Sequence, residues 1–215
     1  MKLLNNSIVI VAFFLVVPAL IFMITYNGIV DKNETVNESW AQVESNYQRR
    51  ADLIPNLIGA VSQYMQYEAK TFEDVAGARS GQLSQLIDAL THAKQESEKT
   101  FGSEQGSTLA NNKNIELIGR TQRMIDSAMY KLVTAVESYP ELRSSEQMMS
   151  LQAQLEGTEN RINVARVRFN RAVQAYNRSI RSFPGSFIAE KYDLEAKPYF
   201  KADDLADKTP IVSVK

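Results

Sequence analysis

Apolar positions along this chain follow two patterns, and the first gives way to the second early. Residues Ser7 to Tyr26 form a run of twenty without a charge. As a helix rising about 1.5 Å per residue, such a run crosses roughly 30 Å, the hydrocarbon thickness of a bilayer. The run exceeds the usual apolar region of a secretory signal. Its end (Phe22-Met23-Ile24-Thr25-Tyr26) also lacks the small residues at alternate positions that signal peptidase needs, so an uncleaved anchor is expected. Pro18 is tolerable there, because a membrane helix can bend at proline without exposing its backbone to water. Tyr26 falls at the interfacial depth that aromatic rings favour.

After the run, apolar residues recur at helical spacing. From Val36 they proceed through Trp40, Val43, Tyr47, Ile54, Leu57, Val61, Met65, Phe72 and Val75, in steps of three, four or seven. That is the coiled-coil-like seam of a long helix packed along its length. Pro55 falls inside it and is expected to remove one backbone bond and bend the helix. Gly77 to Gly81 is the first expected break, followed by a short amphipathic piece with Leu83, Leu86, Ile87 and Leu90. Phe101 to Asn112, with two Gly among Ser, Thr and Asn, reads as a loop. A second seam (Ile115, Ile118, Ile125, Met129, Leu132, Val136) closes at Tyr139-Pro140. Ser144 with Gln147 has the form of a capping box opening a last long helix, whose seam is Leu151, Leu155, Ile162, Ala165, Phe169, Ala172, Tyr176 and Phe183. It stops at Pro184-Gly185. The expected fold is therefore all-α: a short tail (1–6), a transmembrane helix (7–26), an elongated antiparallel up-and-down bundle of four helices (27–184), and an extended C-terminal tail (185–215).

Composition narrows the chemistry. Lys+Arg 24 against Asp+Glu 25 gives a net charge of -1, which does not fit a broad nucleic-acid grip. Cysteine is absent, so disulfides, thiolate metal sites and Cys nucleophiles are excluded. The single histidine, His92, rules out a His₂ or His₃ zinc site within one chain and the paired Glu-x-x-His motifs of ferritin-like centres. It lies in a polar stretch with no serine in a strained-turn motif nearby and reads as a surface residue. Asp31-x-Asn33-x-Thr35-x-Asn37 resembles the start of a calcium loop, but Val36 stands where glycine is needed and Gln42 where glutamate is. A helix start capped by Asp and Asn is the simpler expectation. No glycine loop for phosphate is present. Glu38, Glu44, Asp52, Glu68 and Glu73 on or near the first long helix are expected to form salt bridges rather than a metal centre. No catalytic, cofactor or metal residues are assigned, and neither cofactor nor small-molecule substrate is expected.

Two charged clusters stand out. The last long helix carries Arg161, Arg166, Arg168, Arg171, Arg178 and Arg181, of which Arg161, Arg168, Arg171 and Arg178 share about a third of the circumference beside the seam. Pairing with acidic side chains on an adjacent helix is one expectation. The other is a ribbon (Arg168, Arg171, Arg178, Arg181) for anionic lipid headgroups or an acidic partner, since guanidinium forks fit phosphate and carboxylate. With four helices, the last would return towards the membrane and bring Arg178, Arg181 and Lys191 near the headgroups. The second cluster is Arg49-Arg50-Ala51-Asp52-Leu53-Ile54-Pro55-Asn56-Leu57-Ile58, where two arginines, an aspartate and a proline interrupt the helix. Either it forms a charged docking surface at a bend, or it is a kink satisfied locally.

This segment, with Tyr26-Asn27, Asn33 and Trp40 before it, resembles the LemA family of bacterial membrane proteins. Tyr139-Pro140-Glu141-Leu142, Gly157-Thr158-Glu159-Asn160-Arg161-Ile162, Ala165-Arg166, Phe169-Asn170, Tyr176-Asn177, Arg181-Ser182-Phe183-Pro184-Gly185 and Lys197-Pro198-Tyr199-Phe200 fit the same family. Residues 81 to 115 depart from it, being longer and more polar than its usual Ala-rich connection. The resemblance implies one N-terminal membrane helix carrying a helical bundle, with no enzymatic activity and no cofactor.

The leading expectation is a non-enzymatic, membrane-anchored bundle that scaffolds or docks other envelope proteins, through Arg49, Arg50, Asp52, Pro55 and Asn56 and through Arg161, Asn170 and Asn177. A lipid-binding protein acting through the arginine ribbon is the alternative, and self-association is open. Lys2 and the terminal amine precede the span and Lys32 alone closely follows it, so the bundle is expected outside the cytoplasmic membrane.

Overall fold

The structure, a computed structural model, describes residues 2–71, 76–102 and 110–200, with side chains described over 13–68, 81–102 and 110–200 apart from residue 112. The described residues form seven helices and no strand. These are α1 (Lys2–Ala51), α2 (Ile54–Thr71), α3 (Ala76–Phe101), α4 (Asn112–Ser138), α5 (Pro140–Ser144), α6 (Glu146–Arg181) and α7 (Gly185–Lys191). Two compact units divide the chain: Met1–Asn33 with Phe169–Lys215, and Glu34–Arg168.

The second unit is the all-α bundle. Val36, Trp40, Val43 and Tyr47 of α1 are fully buried. Ile54, Leu57 and Val61 of α2, Leu83, Leu86 and Leu90 of α3, Ile125 and Leu132 of α4, Leu142 of α5 and Met148 and Leu151 of α6 build one core. A large apolar side chain so buried contributes roughly 2 kcal/mol by leaving water. The seams read from the sequence therefore face inward, as helical periodicity requires. In α6 the seam runs from Leu151 to Ile180, but Phe183 lies outside it and is 81% exposed.

Several boundaries differ from those the sequence suggests. No helix starts at Asp31–Asn37, because α1 continues through that segment from the apolar stretch; extending an existing helix costs little once it is nucleated. The helix does break near Pro55. Leu53 N–H turns to the Arg50 carbonyl (3.3 Å), and Pro55 sits in the first turn of α2, where its missing N–H removes no bond. Gly77 to Gly81 is helical, inside the first turns of α3; residues 72–75 lie outside the description. Ser145, not Ser144, caps α6: its hydroxyl accepts from Met148 N–H at 3.3 Å, and Pro140–Ser144 is a helix of its own. Gly185–Lys191 is helical as well, where an extended tail was expected; the alternating stretch at the extreme C-terminus is outside the described residues.

Buried polar side chains between helices are mostly satisfied. Thr100 of α3 and Thr121 of α4 share a 2.7 Å hydroxyl bond, one hydroxyl donating to the other, while the accepting hydroxyl gives its own proton to a carbonyl of its helix (Glu96 O for Thr100, Leu117 O for Thr121). Gln122 is different: it is 1% exposed, and neither amide atom has a hydrogen-bond partner among the described residues. A buried amide left unpaired costs about 1–3 kcal/mol, so Gln122→Met should raise the thermal midpoint by several degrees. A midpoint unchanged or lowered in calorimetry would show that the amide is satisfied.

Candidate functional site

The sequence singled out one charged cluster at the α1–α2 junction, and the structure divides it. Arg50 turns inward. Its guanidinium lies 2.7 Å from Asp126 of α4 and 3.4 Å from Glu159 of α6, with the arginine side chain 11% exposed. One turn earlier, Tyr47 accepts a hydrogen bond from Arg166 Nε, and the same guanidinium stands 5.4 Å from the tyrosine ring centre. Burial pushes the Tyr47 hydroxyl up to about 12, against the opposing pull of Arg166. Burial also raises Glu44 above the usual carboxylate range. Two arginines and two carboxylates thus tie α1, α4 and α6 together, and Arg50 is a bundle lock rather than an exposed docking residue. Asp126 has no mark in the sequence that would pair it with Arg50, since their contact spans helices far apart in the chain.

Arg49, one residue earlier, points outward. With Arg161 it lines an open groove of about 360 Å³, which Ala153 and Gly157 also line. Asp52, Pro55 and Asn56 are exposed at the turn. The salt bridges expected of Glu38, Glu44, Asp52 and Glu68 are not formed among the described residues, and Glu73 lies outside them. His92 is exposed on α3. Among the described residues no three His, Asp or Glu side chains gather as a metal site.

Asn170 and Asn177 also serve the fold. Asn177 donates to Lys197 O (2.9 Å) and accepts from Lys197 N–H (2.8 Å), while Asn170 makes the same pair of bonds to Phe200 (3.1 and 2.9 Å). The spacing explains the match. Seven helical residues rise about 10.5 Å, and three extended residues span about 10 Å, so two asparagines two turns apart meet residues 197 and 200 of an antiparallel extended segment. Pro198 falls between the bonded positions, where no N–H is needed. Phe169 against Phe200 (5.7 Å between ring centres) and Lys197 over the Tyr176 ring (5.5 Å) complete the clamp. Burial holds the Tyr176 hydroxyl above its ordinary value.

The same unit contains the apolar stretch of α1, which is long and apolar enough to cross a membrane. There α6 returns to that stretch. A Cβ on Gly185 would lie 3.4 Å from Ile29 Cδ1, and the Tyr192 ring stands 5.4 Å from Tyr26 and 6.4 Å from Phe22. Lys32, Arg171 and Arg178 line one open groove of about 430 Å³, with Gln174, Ser179 and Ser182 supplying neutral polar groups. Lys32 also donates to Gly28 O at 3.2 Å. Arg168 and Arg181 are exposed and line neither groove. Among the described residues, none of Arg161, Arg168, Arg171, Arg178 and Arg181 forms an ion pair, so the expected pairing with acidic neighbours is not what holds them. Lys32 was missed as a site residue. Its only sequence signal was its position just past the uncharged run.

Comparison with known proteins follows the same lines. The LemA family profile matches residues 39–214. The chain is similar to the Magnetosome protein MamQ of Magnetospirillum gryphiswaldense, 25% identical over 199 residues that cover 89% of this chain and 70% of that protein. It is similar too to Magnetosome proteins MamQ 1 and MamQ 2 of Paramagnetospirillum magneticum, each 24% identical with the same coverage. The profile takes in Trp40, the Arg49–Ile58 segment, both asparagine clamps and Pro184-Gly185, and by that match this helical chain belongs to the LemA family.

Proposed function

We propose that this LemA-family protein is a single-pass, non-enzymatic membrane protein, anchored by the apolar stretch of α1, whose span-bearing unit holds anionic lipid headgroups. One observation carries the reading: Lys32, Arg171 and Arg178 surround a single groove in the unit that contains the span. Lys32 is six residues past Tyr26, about 9 Å of helix, which is headgroup height beside a hydrocarbon core of about 30 Å. Residues 27–33 and 169–200 hold six basic and four acidic side chains, although the whole chain carries a net charge of -1. Each basic group near an anionic surface is worth about 1 kcal/mol, and arginine forks suit phosphate. The balance of basic residues around the span favours a cytoplasmic N-terminus, so we propose the bundle lies outside a bacterial cytoplasmic membrane.

The full-length protein reconstituted in mixed bilayers should enrich spin-labelled phosphatidylglycerol over spin-labelled phosphatidylcholine several-fold at its boundary, and the enrichment should shrink as salt is added. Equal boundary populations of the two lipids would sink the reading.

The groove of Arg49 and Arg161 favours a second reading. Two cations line an open depression, which suits an acidic segment of another envelope protein and would make the bundle a scaffold. Arg50, Asn170 and Asn177 do not belong to that surface, because their polar atoms are already committed within the fold.

A further inference from the structure

Phe183 is 81% exposed and Phe187 is 72% exposed, and their rings meet edge to face with centres 6.4 Å apart. Large apolar side chains so open to solvent call for an occupant. Their position within the span-bearing unit says which. They flank Gly185, which abuts Ile29, and α7 leads from them to Tyr192, whose ring rests on Phe22 and Tyr26 of the apolar stretch. After Asp193, where the backbone turns through a positive φ of 49°, the chain reverses and is clamped along α6 by Asn177 and Asn170. Residues 183–193 thus form a hairpin whose tip lies against the end of the span. Its buried face is Gly185 and Ile188, and Phe183 and Phe187 lie on its open face.

We infer that this hairpin is a second membrane contact, with Phe183 and Phe187 seated in the bilayer interface beside Tyr26 and Tyr192. The inference rests on the reading that α1 spans a membrane. Aromatic rings concentrate at that depth, where one part is apolar and the other is hydrated. Arg181 and Lys191 at the two ends of the hairpin reach the phosphate layer on flexible stems. The chain would then be held at two points, so that the last helix cannot swing away from the anchor. Ring insertion needs no anionic lipid, which separates it from the arginine groove.

The absence of cysteine makes the test direct, because a single introduced cysteine can be labelled without background. A nitroxide is placed on Ser186→Cys in the full-length protein, leaving both rings intact, and the protein is reconstituted in phosphatidylethanolamine and phosphatidylglycerol. Relaxation by oxygen is compared with relaxation by a water-soluble nickel chelate. Phe14→Cys reports the span and Tyr130→Cys an exposed site on α4. The Ser186 label should favour oxygen, at a ratio between the two references, and Phe183→Ser with Phe187→Ser should bring it to the Tyr130 value. If the Phe14 label is deep and the Ser186 label matches Tyr130, the hairpin inference falls and the anchor stands. If the Phe14 label is itself open to nickel, the spanning reading falls. Protection of the Ser186 label from both reagents would assign the rings to a protein contact and likewise overturn the inference.

Discussion

Replacing Gly185 with alanine should release the hairpin that follows α6. A Cβ at this position would be driven into the carbonyl oxygen of Ser179, a backbone atom that cannot rotate aside, while touching Ile29 on its other flank. Overpacking of this kind costs about 2–3 kcal/mol, and relief is available locally by undocking α7 rather than unfolding the bundle. The expected result is roughly a hundredfold faster hydrogen exchange at the amides of Phe187 and Tyr192, which donate to Pro184 and Ile188. Exchange in α3 and α4 should be unchanged. Unaltered protection at Phe187 and Tyr192 would mean that Ser179 and the turn can shift together and that the close approach does not hold α7 in place.

Arg50→Ala is the second large effect, and its neighbour is the control. The guanidinium of Arg50 is nearly buried between two carboxylates, Asp126 and Glu159, that are each about half exposed. Removing it leaves two negative charges facing each other at a helix junction, though water can reach them, so the loss should be about 2 kcal/mol rather than the larger figure for fully buried pairs. For a unit of this size that is a drop of roughly 6–10 °C in the thermal midpoint. Arg49→Ala should stay within about 0.5 kcal/mol of the parent. A double-mutant cycle with Asp126→Ala should show positive coupling. Equal effects at Arg49 and Arg50 would contradict the division of the cluster into a lock and an open groove.

These two cases show where sequence reasoning ran out. The seams were legible because apolar spacing reports directly on which face of a helix is buried, and Val36, Trp40, Val43 and Tyr47 pack as their spacing implies. Adjacent residues on a helix differ by about 100° in direction. Arg49 and Arg50 read alike in the sequence, therefore, while one faces water and the other faces α4 and α6. Asn170 and Asn177 were visible as polar residues beside a seam. Their partners lie 30 and 20 residues on, respectively, in a segment with no periodic signal of its own. The glycines at 77 and 81 misled because glycine is tolerated near a helix start, and Ser144 because a short extra helix displaced the cap by one residue. The arginine ribbon was legible as a stripe, but Lys32, supplied by α1, becomes part of it only once α6 has returned to the span.

The central claim is that anionic lipid is held at the groove of Lys32, Arg171 and Arg178 and not by charge spread over the whole surface. The most direct measurement is the boundary enrichment of spin-labelled phosphatidylglycerol in two double variants of the full-length protein, Arg171→Gln with Arg178→Gln and Arg49→Gln with Arg161→Gln. Both remove the same charge from exposed positions on α1 or α6. The first should bring phosphatidylglycerol down to the phosphatidylcholine level, and the second should leave the parent's enrichment intact. Equal losses in the two variants, or a loss confined to the second, would contradict the claim.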